Sequence, residues 1–365
     1  MYGQALKRIH NVAIFSVFLA IVVVMLGAWT RLVDAGLGCP DWPGCYGFLT
    51  VPETPEKIAI AEMRYPDAPV EADKGWPEMI HRYFASTLGF VLLCLAAYTA
   101  KIQRSLKGAV SSRDDAHDSL PSGHIYGLLA LVILQGMFGM WTVTLKLWPQ
   151  VVSLHLLGGF ATLSLLFLLV LRTKDRAGGK EPHEQLDSAH AKPELSALQF
   201  GAMKRFALVG LLLVVLQIFL GAWTASNYAA LACGNELPGC QGSLWPEMNF
   251  GKGFNLFQEV GPNYLGGTMD NESRVAIQVA HRVGAVVLTA YLLWLALRIR
   301  RCGHIPEIRN AVIAMVSILA AQLVLGLSNV ILLIPLSIAV AHNAVGALLL
   351  LSMVNLNFHL NRFQK

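Results

Sequence analysis

LeuGlyAlaTrpThr at 26–30 returns letter for letter at 220–224, an offset of 194. The residues around it return as well. Cys39 corresponds to Cys233 at the same offset, and Cys45 to Cys240 at 195. HisArg at 81–82 corresponds to HisArg at 281–282, at 200. Gln135, Gly139 and His155 correspond to Gln322, Gly326 and His342, all at 187. Self-similarity on this scale marks an internal repeat, and a repeat decides the architecture. The drift of the offset reflects loop lengths. The chain therefore reads as two copies of one unit, 1–171 and 205–365. They are joined by a segment, 172–204, that contains Gly178, Gly179, Pro182 and Pro193.

Each copy contains four apolar runs. The chain is 55% hydrophobic and 14% charged, with a mean hydropathy of +0.53, which is the composition of a membrane protein. Eight runs are long enough for a ~30 Å hydrocarbon core, which takes about 20 residues per helix. They fall near 11–32, 79–100, 124–145, 151–171, 205–226, 276–298, 308–331 and 335–357. The first resembles a signal anchor, but its counterpart at 205–226 marks it as a retained helix. The fold class is an all-α integral membrane protein, eight transmembrane helices forming two parallel-repeat four-helix bundles. Four spans per copy is an even number, so both copies have the same orientation.

Lys and Arg set that orientation. Lys7 and Arg8 precede the first span. Lys101, Arg104, Lys107 and Arg113 follow the second, seven more cations lie between 172 and 205, and Arg298, Arg300, Arg301 and Arg309 follow the sixth. These segments are expected in the cytoplasm, with both termini inside a bacterial cytoplasmic membrane. The net charge of +5 is spread over every inner loop, which excludes a nucleic-acid surface. Loops 33–77 and 227–274 then lie outside. Close cysteine pairs there can oxidise, giving Cys39–Cys45 and Cys233–Cys240. Cys94, within a span, reads as a small core residue, and Cys302 as a free thiol.

Intramembrane histidine is costly and rarely idle. His81, His155, His281 and His342 sit near the outer ends of the second and fourth spans of each copy. All four are at similar depth. A histidine on each of two facing helices can clamp one haem iron, so two pairs suggest two haem sites. The other seven histidines, at 10, 117, 124, 183, 190, 304 and 359, read as solvated. Arg82 and Arg282 follow the candidate ligands. Such an arginine either snorkels to the interface or pairs with haem propionates through its fork.

The copies differ one turn before the first ligand. Glu78 precedes His81 by three residues, whereas Gln278 precedes His281. The first half thus has an ionisable group beside its haem and the second a neutral amide. That suggests proton-coupled chemistry in the first half and electron transfer in the second. The cysteines, with five and six intervening residues, match neither a CxxC redox motif nor a haem-attachment motif. They read as loop staples or as a redox disulfide over the haem pocket, and with no histidine in either loop zinc is not expected.

The chain resembles the haem A synthase family over nearly its whole length. The motifs are GlyAlaTrpThrArgLeu (27–32), GlyLeuGlyCysProAspTrpProGlyCys (36–45), GluMetIleHisArg (78–82), HisLeuLeuGlyGly (155–159), AlaHisArgValGly (280–284) and AlaHisAsnAlaValGly (341–346). It is most similar to the bacterial form with cysteine pairs in both large outer loops. The resemblance implies a substrate haem O on His81 and His155, a haem b on His281 and His342, and Glu78 as the catalytic-site glutamate. It implies two hydroxylations of the C8 methyl and loss of water to a formyl group, giving haem A for cytochrome oxidase. Molecular oxygen or water supplies the oxygen, and an electron donor is required. Haem O synthase and cytochrome oxidase assembly factors are candidate partners, and a homo-oligomer is compatible. Either a first-pair histidine leaves the iron or the oxidant acts elsewhere. The competing reading is a diheme cytochrome b in quinol-linked electron transfer, which shares the histidines but has no need of Glu78. A transporter would show broken helices at mid-membrane, and no paired Gly/Pro interruption is present.

Overall fold

The computed structural model describes residues 2–107, 120–177, 197–300 and 305–362, whose regular elements are helices with no strands among them. Among the described residues, eight helices are long and apolar enough to cross a membrane. They are α1 (Tyr2–Leu32), α3 (Ala72–Lys107), α4 (Ser122–Thr144), α5 (Pro149–Ala177), α6 (Ala197–Ser226), α8 (Asn271–Ile299), α9 (Pro306–Ile331) and α10 (Leu336–Arg362). Two short helices, α2 (Pro55–Arg64) and α7 (Phe250–Gly253), lie in the long loops.

Each expected span falls on one of these helices, with only Leu145 and Pro335 lying just outside a helix end. α3 starts seven residues before the predicted 79, because its first turns, AlaAspLysGlyTrpPro, are too polar to register as membrane sequence. His81 therefore sits in the third turn rather than the first or second. α2 was not expected. Thr54 caps it by accepting the Lys57 N–H, and Pro55 sits at its first position.

In the first half, α1 packs on α3 and α5, and α4 packs on α3 and α5. In the second, α6 packs on α8 and α10, and α9 packs on α8 and α10. In both rings the diagonal partners, α3 with α5 and α8 with α10, do not touch through their backbones. The halves meet where α1, α5, α6 and α10 face one another. One apolar core, from Leu6 and Ile9 to Leu356 and Leu360, runs through all eight helices. Phe18, Phe90, Ile133, Leu212, Val286 and Val324 are exposed on the perimeter, the pattern of a body solvated by lipid.

At the end that carries the disulfide loops, the halves are tied by polar contacts. The Arg31 guanidinium stacks on the Tyr228 ring at 3.9 Å and donates to the Ala225 carbonyl. The Tyr228 hydroxyl donates to Asp34 at 2.9 Å. Burial pushes the Tyr228 phenol above its usual range, which keeps it a donor. The Tyr264 N–H donates to the Lys146 carbonyl at 3.0 Å, and the Trp148 indole to the Gln258 carbonyl at 3.2 Å. The second long loop thus lies across the α4–α5 turn of the first half.

Candidate functional site

The four histidines come from the diagonal helices that do not touch. His81 on α3 and His155 on α5 face each other across the first ring, with imidazole centres 6.4 Å apart. Metal–imidazole bonds of about 2 Å would place two such ring centres roughly 6 Å apart. The Nδ1 atoms of His81, His155 and His342 are buried with no hydrogen-bond partner.

The remaining helices of each ring supply glycine. A Cβ added at Gly27 on α1 would lie 3.0 Å from Cε1 of His81, and one at Gly139 on α4 3.4 Å from Cε1 of His155. In the second half, a Cβ at Gly221 on α6 would lie 3.2 Å from Cε1 of His281, and one at Gly326 on α9 3.2 Å from Cε1 of His342. Each ring edge therefore rests on bare backbone. Four imidazoles seated this way, three with orphaned nitrogen, fit a haem-iron ligand set in each half. No group of three or more His, Cys, Asp or Glu able to hold a metal ion exists among the described residues.

Glutamines pack beside the rings. Gln217 lies 3.0 Å from Nδ1 of His281 and donates to its backbone carbonyl at 2.9 Å. Gln322 lies 3.3 Å from Nε2 of His342. Gly139 and Gly326 are named by the repeat, and Gly27 and Gly221 lie within the repeated LeuGlyAlaTrpThr, but nothing in the sequence marks any of them as a ring seat, and Gln217 carries no signal at all.

Both disulfides are present, Cys39–Cys45 and Cys233–Cys240. Each loop is held over its half by the arginine that follows the first histidine. Arg82 donates through Nη1 to the carbonyls of Asp41, Pro43 and Gly44. Arg282 donates through Nη1 to the carbonyls of Glu236 and Gly239, both at 3.0 Å. Inside the loops, Asp41 accepts the N–H groups of Tyr46 and Gly47, and Glu236 accepts that of Gly242. Glu78, 5% exposed, accepts the Cys39 N–H at 3.0 Å and pairs with Nη2 of Arg82 at 2.5 Å. It thus ties the disulfide loop to the helix of His81.

Four sequence expectations change, among them His359, whose Nδ1 is buried and whose ring lies 5.4 Å from that of Phe358. Cys94 is exposed on α3, because its helix face points outward from the ring. His10 is hydrogen-bonded to Thr173 at 2.9 Å, and His124 lies 3.3 Å from Arg172, so both are packed between helices rather than solvated. His117, His183, His190, His304 and Cys302 lie outside the described residues.

Residues 10–354 match the COX15-CtaA family model, described as cytochrome oxidase assembly protein. The chain is 41% identical to a protein named "Heme A synthase" from Shewanella oneidensis, over 93% of each chain. It is 28% identical to proteins of the same name from Chelativorans sp., over 90% of this chain and 84% of that one, and from Agrobacterium fabrum, over 93% and 86%. With nearly all its length matched, this eight-helix chain with histidines on the facing helices of each half belongs to the COX15-CtaA family of cytochrome oxidase assembly proteins.

Proposed function

We propose that this protein is a haem A synthase, oxidising the C8 methyl of haem O to a formyl group. The observation that carries the reading is one difference in ionisable groups between two similar sites. The first half places a buried carboxylate, Glu78, one turn before its ligand His81, and the second places the neutral Gln278 before His281. Chemistry that moves protons needs the former and a holding site does not.

In this reading residues 1–171 form the substrate half and 205–365 the haem b half, with 172–204 linking them. The Arg31–Ala225 and Asp34–Tyr228 contacts support two copies about one axis, since each joins positions 194 apart, the offset of the repeated motif. His81 and His155 grip the iron of haem O. Their glycine seats fix the rings, and with them the position of the methyl. Glu78 holds or moves a proton at its carboxylate oxygens, while Arg82 and the Cys39 N–H orient it. The disulfide loop above excludes water. Two hydroxylations of the methyl give a gem-diol, which loses water to the aldehyde. If the oxygen comes from dioxygen, each hydroxylation takes two electrons and two protons, from a donor outside the chain, and releases one water; if it comes from water, each gives up two electrons and two protons, to an acceptor outside the chain. Haem b, when bound by His281 and His342, supplies one-electron chemistry beside the substrate half. In this reading the protein lies in the bacterial cytoplasmic membrane with both termini in the cytoplasm and the disulfide loops outside, an orientation that the cations between spans support.

The test is mass analysis of haem extracted from cells making this chain together with a haem O synthase. Haem A or a hydroxylated haem O is expected. Haem b with unconverted haem O would point to a diheme electron carrier.

A further inference from the structure

Arg82 and Arg282 occupy equivalent places and spend Nη1 alike, on carbonyls of the disulfide loop. Their other edges differ. Nη2 of Arg82 is taken by Glu78. Nε and Nη2 of Arg282 are both buried with no hydrogen-bond partner. These two nitrogens form the side of a guanidinium that grips a carboxylate with two parallel hydrogen bonds. Leaving them dry and unpaired is costly, because a buried donor forfeits its full solvation. The nearby carboxylate does not fill the need: Glu236 offers Arg282 only its backbone carbonyl, and its side chain accepts the Gly242 N–H at 2.7 Å. Gln278, one turn below, leaves its own Oε1 unpaired rather than closing on Arg282.

We propose that the Nε/Nη2 edge of Arg282 is a clamp for a carboxylate of the iron porphyrin held by His281 and His342, a propionate. Gln278 keeps that clamp open, whereas Glu78 closes the same edge of Arg82. The glutamate–glutamine difference therefore has a second consequence, beyond a proton-transferring group. It makes the second half the one that recognises propionate, the use suited to a retained haem rather than a substrate that must leave. The inference rests on the reading of the second half as a haem b site.

The test uses the full chain, purified from haem-deficient cells and titrated with haem b and with haem b dimethyl ester, whose propionates cannot pair with arginine. Wild type should prefer haem b by roughly ten- to a hundredfold, the worth of hydrogen bonds to a charged group. Arg282→Gln should erase the preference by removing the clamp, and Gln278→Glu by occupying it. The second variant keeps Arg282 and guards against misfolding of the first. No preference in wild type, or a wild-type preference in both variants, would overturn the clamp. His281→Ala is titrated in parallel. If it keeps the low-spin spectrum of two histidine ligands, the haem b reading fails. If it loses that spectrum while the preference survives in both clamp variants, only the clamp fails.

Discussion

Glu78 and Arg82 form a buried ion pair one helical turn apart, at 2.5 Å, and the same pair of positions in the second half, Gln278 and Arg282, makes no such bond. The rest of the two sites matches closely: histidines on diagonal helices, glycine beneath each ring, and a disulfide loop held by arginine. A single ionisable group thus separates them. Removing one partner of a buried pair leaves the other uncompensated, so this position should respond sharply to substitution.

His281→Ala or His342→Ala should remove the low-spin haem b absorption while the protein still inserts in the membrane. Both residues lie on diagonal helices with their rings seated on glycine. The check is the visible spectrum of the purified variants at equal protein. Retention of a two-histidine spectrum in both variants would reject the assignment.

The glycine seats allow the two halves to be perturbed one at a time. Gly221→Val pushes into the His281 ring, and Gly27→Val into the His81 ring. Overpacking costs typically 1–3 kcal/mol, here directed at one ligand in each variant. Gly221→Val should lower haem b content, and Gly27→Val should spare haem b but lower haem A. Pyridine haemochrome assay of extracted pigment separates the outcomes. Equal loss of haem b from both variants would mean that the halves do not act separately.

Cys39→Ser with Cys45→Ser opens a loop with a sequence separation of six. Loop-closure entropy for so short a ring gives about 2 kcal/mol, so thermal unfolding should move down by a few degrees. The same loop supplies the Cys39 N–H to Glu78 and three carbonyls to Arg82, so haem A output should fall further than stability alone predicts. Output reduced only in proportion to folded protein would leave the bridge a staple. Mass mapping of unreduced wild type should find Cys94 free.

Much of the fold is written in hydropathy and in LeuGlyAlaTrpThr. Eight apolar runs predict eight helices, and the histidine pairs fall on facing helices because the repeat puts them on the second and fourth span of each copy. What sequence concealed is tertiary. Arg82 and Arg282 lead with a cation, which reads as snorkelling or propionate binding. That Nη1 of each is spent on loop carbonyls depends on how 39–45 and 233–240 fold back. His10 looks like a solvated end residue until α5 brings Thr173 against it. α2 has a visible signal, ThrProGlu at 54–56, which hydropathy does not register because the helix is short and polar.

The division of labour between the halves is tested most directly at Glu78. Glu78→Gln gives the first half the residue of the second with little change of volume, and removes the carboxylate while keeping hydrogen-bonding capacity. Haem from this variant, co-expressed with a haem O synthase, is extracted and identified by mass at equal protein. Haem b should remain at the wild-type level, haem A should fall sharply, and haem O or its hydroxylated form should accumulate. Near-normal haem A would contradict the account, and would make Glu78 a residue that merely ties the disulfide loop to α3.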